Sequence, residues 1–119
     1  MNRNIIIGKK GEELACEYLK KNKYKIIEKN WHYSKNAEID IIADDNGTLV
    51  FIEVKTRTTL NYGHPFESIT QSKIEKINKG ILGYLKETDR KYKSYRFDGI
   101  AIIGLEKPKI EHIKDLGQF

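Results

Sequence analysis

The sequence has a single cysteine, Cys16, which excludes an intramolecular disulfide and any structural zinc site built on several thiolates. Cys16 sits in a segment of helical apolar period, so it reads as an inert core thiol in a reducing compartment. Long hydrophobic runs are missing too. The N-terminal MNRNIIIGKK has three consecutive large apolar residues, far short of a signal-peptide core or of the roughly 20 residues a membrane span needs. A cytoplasmic protein with no membrane partner is the expectation. There is no internal repeat, low-complexity tail or domain linker. His32, His64 and His112 have no recognisable zinc spacing and read as structural or surface residues.

What remains is a chain of 119 residues, 39% apolar and 33% charged, expected to form one domain over residues 1–119. Its 22 Lys plus Arg against 17 Asp plus Glu give a formal charge of +5. A pI near 9.2 favours polyanions without choosing among DNA, RNA and acidic lipid.

GEELACEYLKK, residues 11–21, reads as an amphipathic helix with Leu14, Ala15, Tyr18 and Leu19 inward. The same period places Glu12 beside Ala15, Cys16 and Leu19, where a carboxylate needs a partner or an edge near solvent. Residues 24–33 have strand character, and Trp31 reads as a sheet-face aromatic, with base stacking the alternative. A second helix is expected from Ser68 or Thr70 to Leu85, or from Ser72 if Ser72 and Glu75 form a capping box. Gly80 and Gly83 weaken its regularity, with close packing the alternative reason for them. The KETDRKYKSYR stretch reads as an exposed connection, with nucleic-acid contacts by Tyr92, Lys93, Tyr95 and Arg96 the alternative. Residues 96–105 suit a buried strand, and residues 109–119 are ambiguous.

The most informative segment runs from Ala37 to Lys55. Two strands, residues 38–43 and 48–55, flank Asn46-Gly47, a dipeptide that favours a two-residue hairpin loop. Counting back from that loop pairs Asp45 with Thr48, Ala43 with Val50, Ile41 with Ile52 and Asp40 with Glu53. Lys55 shares the face of Glu53 because side chains repeat with period two. Two facing carboxylates call for a proton, a base or a cation. Asp40, Glu53 and the Val54 carbonyl suit a hard divalent ion, with Glu12 approaching from the first helix. Lys55 would then orient water or stabilise charge on a transferring phosphate. The competing reading of the same residues is a solvated, salt-bridged face.

Gly8-x-x-Gly11-Glu12-Glu13-x-Ala15, Glu38-Ile39-Asp40 and Phe51-Ile52-Glu53-Val54-Lys55-x-Arg57 together resemble the YraN-like family of small uncharacterised proteins. The resemblance continues through Lys73 and Arg96-Phe97-Asp98. It implies a relation to archaeal Holliday-junction resolvases and an α/β, restriction-endonuclease-like core, a mixed central sheet flanked by helices. It also assigns Glu12, Asp40, Glu53 and Lys55 to the catalytic acidic and basic positions. The family's glycine before Glu-Ile/Leu-Asp is Ala37 here.

These readings together point to a Mg²⁺- or Mn²⁺-dependent endonuclease on DNA, branched or distorted, with RNA as the alternative polymer and a homodimer as the resemblance-based expectation. Arg57, Gln71, Lys73 and Arg96 are the candidate nucleic-acid contacts. Asp98 reads as a local hydrogen-bonding residue. A non-catalytic nucleic-acid-binding protein and a protein-interaction module are the alternatives.

Overall fold

In the computed structural model, residues 2–35, 37–61, 63–104 and 106–116 are described, that of Ser68 without its side chain. Helix α1 spans Arg3–Lys21 and is followed by strands β1 (Lys25–Ser34), β2 (Ala37–Asp45) and β3 (Thr48–Arg57). A 3₁₀ turn at Pro65–Ser68 leads into α2 (Gln71–Glu87), and β4 (Ser94–Ile103) and β5 (Lys109–Ile113) complete the chain. The sheet order is β1-β2-β3-β4-β5. Only β3 and β4 are parallel, which is the pairing that requires a long crossover, and α2 supplies it. The protein is thus a single α/β domain with a five-stranded mixed sheet and two helices.

The first helix begins eight residues earlier than its apolar period predicts. Asn2 caps it by accepting a hydrogen bond from the Asn4 amide at 2.8 Å. Ile5 and Ile6 in this added part are exposed, so amphipathic reading passes over it. At the other helix, Thr70 accepts from the Lys73 amide at 3.1 Å and is the cap, so Ser72 lies inside the first turn. The 109–119 segment contains an edge strand, β5, antiparallel to β4. Leu105, the last residue of the expected 96–105 strand, and residues 117–119 lie outside the described set.

Asn46 and Gly47 have φ of 52° and 95°, the two positive values a type I′ turn needs. The turn fixes the register expected from the sequence: Asp45↔Thr48, Ala43↔Val50 and Ile41↔Ile52. The ladder ends there, one pair short of the expected Asp40–Glu53 pair. Two apolar layers enclose the sheet. Ala15, Cys16 and Leu19 of α1 pack with Ile41, Ala43, Val50, Ile52, Ile100 and Ile102. Ile77, Ile81 and Tyr84 of α2 pack with Ile39, Ile42, Leu49, Phe51 and Phe97 on the opposite face. Central strands β3 and β4 are therefore buried on both sides and read as near-continuous apolar runs.

Ile39 and Ile42 share the α2 layer although strict alternation would separate residues three apart. Strand β2 changes face between Ile39 and Ile41, beside Asn30 of β1, whose φ is +51°. Asn tolerates that left-handed conformation better than most residues. The irregularity lies at Asp40 and explains why the ladder stops short.

Candidate active site

Asp40 and Glu53 line one cleft between the ends of β2 and β3 and the first turns of α2. The cleft holds about 380 Å³, and its other walls include Lys35, Glu38, Lys73 and Lys76. The cross-strand pair is replaced by a different link: the Val54 amide donates to Asp40 Oδ2 at 2.8 Å. Glu53 is a buried acid whose side chain is 8% exposed. Its Oε1 faces two ammonium groups, Lys73 Nζ at 3.0 Å and Lys55 Nζ at 3.4 Å.

Residues 11–102 match the model of a family described as Uncharacterised protein family UPF0102. The chain belongs to the UPF0102 family. A UPF0102 protein of Persephonella marina is 46% identical over 110 residues, covering 92% of this chain and 91% of its own. One from Chloroherpeton thalassium is 44% identical over 103 residues, 87% and 79% of the two chains. One from Chlorobaculum tepidum is 43% identical over 121 residues, 96% and 93%. Family membership is thereby settled as the sequence motifs implied, while the family description assigns no chemistry to the cleft.

The electrostatics of this UPF0102 cleft are strained. Burial, followed by the charge of Glu53, pushes the Asp40 carboxyl up to about 8. Glu12 is also raised, mainly by burial and further by Glu38 and Glu53, while its hydrogen bond with Asn30 opposes the rise. Glu12 is half-buried on α1, so the partner its helical position demanded is Asn30, on the irregular part of β1. Lys55 is lowered by burial and then by Lys73. Burial acts the same way on Lys73, but its contacts with Lys55 and Glu53 carry it upward. The two amines thus shift in opposite directions around the one carboxylate.

Among the described residues no group of three His, Cys, Asp or Glu side chains is assembled as a complete metal cage. The donor chemistry fits Mg²⁺ nonetheless. That ion keeps several waters and is commonly held by one or two carboxylates plus substrate phosphate oxygens. Asp40 and Glu53 are two such carboxylates, and a cation would stabilise the ionised form of Asp40 that burial, and then the charge of Glu53, disfavour.

The other sequence-selected residues divide. Lys73 joins the cleft through Glu53, whereas Gln71 is exposed on the first turn of α2. Arg57 lies with Glu12 and Lys55 on a second groove between α1 and the end of β3, and its Nη1 donates to the Thr56 carbonyl at 3.0 Å. Arg96 stands apart. Its guanidinium binds Asp98, Asp45 and the Tyr24 hydroxyl on the α1 side of the sheet. Asp98, fully buried, also accepts from the Asp115 amide at 3.2 Å and lies 2.7 Å from His112 Nε2. It is a local hydrogen-bonding residue, as the sequence implied. Lys35 and Lys76 were not anticipated. The Lys73-x-x-Lys76 spacing could have indicated two cations on one helical face, but only the sheet order brings Lys35 to them.

Proposed function

We propose that this UPF0102 protein is a divalent-metal-dependent endonuclease that hydrolyses phosphodiester bonds in DNA, with branched or distorted DNA as its substrate class. The observation that carries the reading is the placement of half-buried Asp40 and buried Glu53 in one open cleft, with Lys55 and Lys73 at the Glu53 carboxylate. A mixed sheet with a helix on each face is in keeping with the restriction-endonuclease-like core that the motifs resemble. Fold alone would not license the activity, so the argument rests on the site.

Asp40, Glu53 and the Val54 backbone would hold the cation, Glu12 approaching from α1. When bound, Mg²⁺ or Mn²⁺ supplies an activated water and neutralises charge developing on the phosphate. Lys55, with its lowered affinity for a proton, orients the attacking water. Lys73 pairs with Glu53 and offers positive charge at the phosphate. Val54 fixes the Asp40 carboxylate through its amide and leaves Oδ1 for other partners.

A second reading, nucleic-acid binding without turnover, is favoured by one feature: Glu53 Oε1 is engaged by two lysines. The deciding assay compares linear, flapped and four-way-junction DNA with Mg²⁺ or Mn²⁺, using structured RNA as control. Wild type should cleave and folded E53A should not. Binding without cleavage in both metals would replace the nuclease reading with the binding-only one. Mass measured over a concentration series tests whether two subunits cut two strands. Among the described residues no helix is long and apolar enough to cross a membrane.

A further inference from the structure

Five aromatic rings run across the α2 side of the sheet: Tyr33, Trp31, Tyr84, Phe51 and Tyr95. The inner rings meet edge to face, at 5.4 Å for Trp31 and Tyr84 and 5.6 Å for Phe51 and Tyr84. Tyr33 is arranged differently. It stacks on Trp31 with an interplanar angle of 23° and a centroid separation of 6.1 Å, yet remains 49% exposed.

Gly83 of α2 makes this placement possible. A Cβ at residue 83 would come within 2.2 Å of Tyr33 Cδ1 and 2.4 Å of Cε1, so any side chain there would displace the ring. Glycine weakens a helix interior relative to alanine. What the helix obtains in exchange is a tyrosine seated against its backbone, backed by Trp31 and open to solvent elsewhere.

Tyr33 is also connected to the cleft. It precedes Lys35, a cleft-wall residue, by two positions, about 7 Å at strand spacing. Along α2, Lys76, Gly80 and Gly83 follow each other at i+4 and i+3 and form one row, in which Lys76 lines the cleft. From Lys76 to Gly83 is about 10 Å of helix, roughly three steps at the ~3.4 Å spacing of stacked nucleotides. An aromatic face with lysines leading to it is the combination that binds single-stranded nucleic acid, because bases stack on the ring while phosphates follow the cations.

We propose that Tyr33 is a stacking platform for an unpaired base of the DNA substrate, positioned a few nucleotides from the phosphate held at Lys35, Lys73 and Lys76. This rests on the nucleic-acid reading of the cleft and narrows it to DNA with a single-stranded arm or an extruded base. Tyr33 acts as a positioning residue and touches no reacting atom. A protein ligand fits the surroundings less well, since the exposed ring sits between the α2 backbone at Gly83 and a charged cleft that carries three lysines, instead of in a broad apolar patch.

The test uses metal-free conditions, so binding is read independently of cleavage. The probes are a blunt DNA duplex and the same duplex with a single-stranded arm carrying 2-aminopurine at successive positions. Wild type should prefer the armed DNA and quench 2-aminopurine at one arm position. Tyr33→Leu, which keeps apolar packing but removes the π face, should lose the quench and weaken armed-DNA binding about ten-fold, leaving duplex binding unchanged. Tyr33→Phe should retain both properties, as should Leu82→Ala at the exposed neighbour of Gly83. Folding of each variant is checked by its urea denaturation midpoint. A folded Tyr33→Leu protein that keeps quench and affinity, or that loses duplex and armed DNA equally, overturns the platform while leaving the nucleic-acid reading standing. Wild type that binds neither probe at low salt overturns both.

Discussion

Lys73 Nζ lies 3.0 Å from Glu53 Oε1, closer than Lys55 at 3.4 Å, although Lys55 is the residue two positions along the same strand. The helix therefore supplies the nearer counter-charge to the strand's acid. Lys73→Ala should leave the fold intact, because the Lys73 side chain is 41% exposed and Lys55 still faces the Glu53 carboxylate. On the nuclease reading, Lys73→Ala raises KM more than it lowers kcat, whereas Lys55→Ala lowers kcat more than it raises KM. Steady-state kinetics on a DNA that wild type cleaves separates the two roles. Identical effects would show that the lysines act only as a charge pair around Glu53.

Asp40 carries a cost in stability. Above pH 8 its carboxylate is ionised in a site where burial, and then the charge of Glu53, disfavour that state. Asp40→Asn keeps an acceptor oxygen for the Val54 amide and removes the charge. At pH 9 without metal, this variant should be more stable than wild type by on the order of 2 kcal/mol, read from urea denaturation midpoints. Its Mg²⁺ affinity should fall at least about ten-fold by calorimetry. A variant that loses stability would mean that the wild-type carboxylate is already compensated within the protein.

How far the sequence carried these assignments depended on whether the signal was local. Asn46-Gly47 dictates a turn with two positive φ angles, so the register from Asp45↔Thr48 to Ile41↔Ile52 could be counted without knowing the rest of the fold. The count failed at Asp40 because the cause is on another strand, at the left-handed Asn30, whose irregularity no period-two pattern reveals. Glu12 was legible as a buried acid in need of a partner, but not as the partner of Asn30. Lys73 stood out on its helix, yet its contact with Glu53 exists only after α2 crosses from β3 to β4. Arg96 shows the reverse problem. A basic, aromatic stretch suggested phosphate contacts, while the strand's alternation turns its guanidinium toward Asp98 and Asp45.

Asp98 makes the acid limb of stability predictable. Burial would raise its pKa, but hydrogen bonds from His112, Arg96 and the Asp115 amide outweigh that and hold the carboxyl below its usual 3.8. A carboxylate depressed in the folded state stabilises the protein above the unfolded value and loses that contribution as pH falls through the folded one. The denaturation midpoint should therefore hold at neutral pH and fall below about pH 4. Asp98→Ala, which leaves Arg96 short of a buried partner, should cost about 3–5 kcal/mol at pH 7 and flatten the acid limb. An acid limb unchanged in a folded Asp98 variant would place its origin in other carboxylates.

Gly8 and Gly11 look equivalent in the motif that begins the chain, and the structure gives them opposite sensitivities. A Cβ at residue 11 would lie 1.8 Å from Thr56 Oγ1 and 3.0 Å from Thr56 Cβ, where α1 crosses β3 next to the cleft. One at residue 8 would meet nothing within 4 Å. Gly11→Ala should destabilise by about 2 kcal/mol through overpacking, and Thr56→Gly in the same chain should recover much of the loss. Gly8→Ala should stabilise by roughly 0.5–1 kcal/mol, since alanine is the better helix former and no neighbour opposes it. Thermal unfolding of the three variants decides this. Equal effects at the two glycines would mean that α1 does not approach Thr56 of β3 at residue 11 as closely as the structure requires.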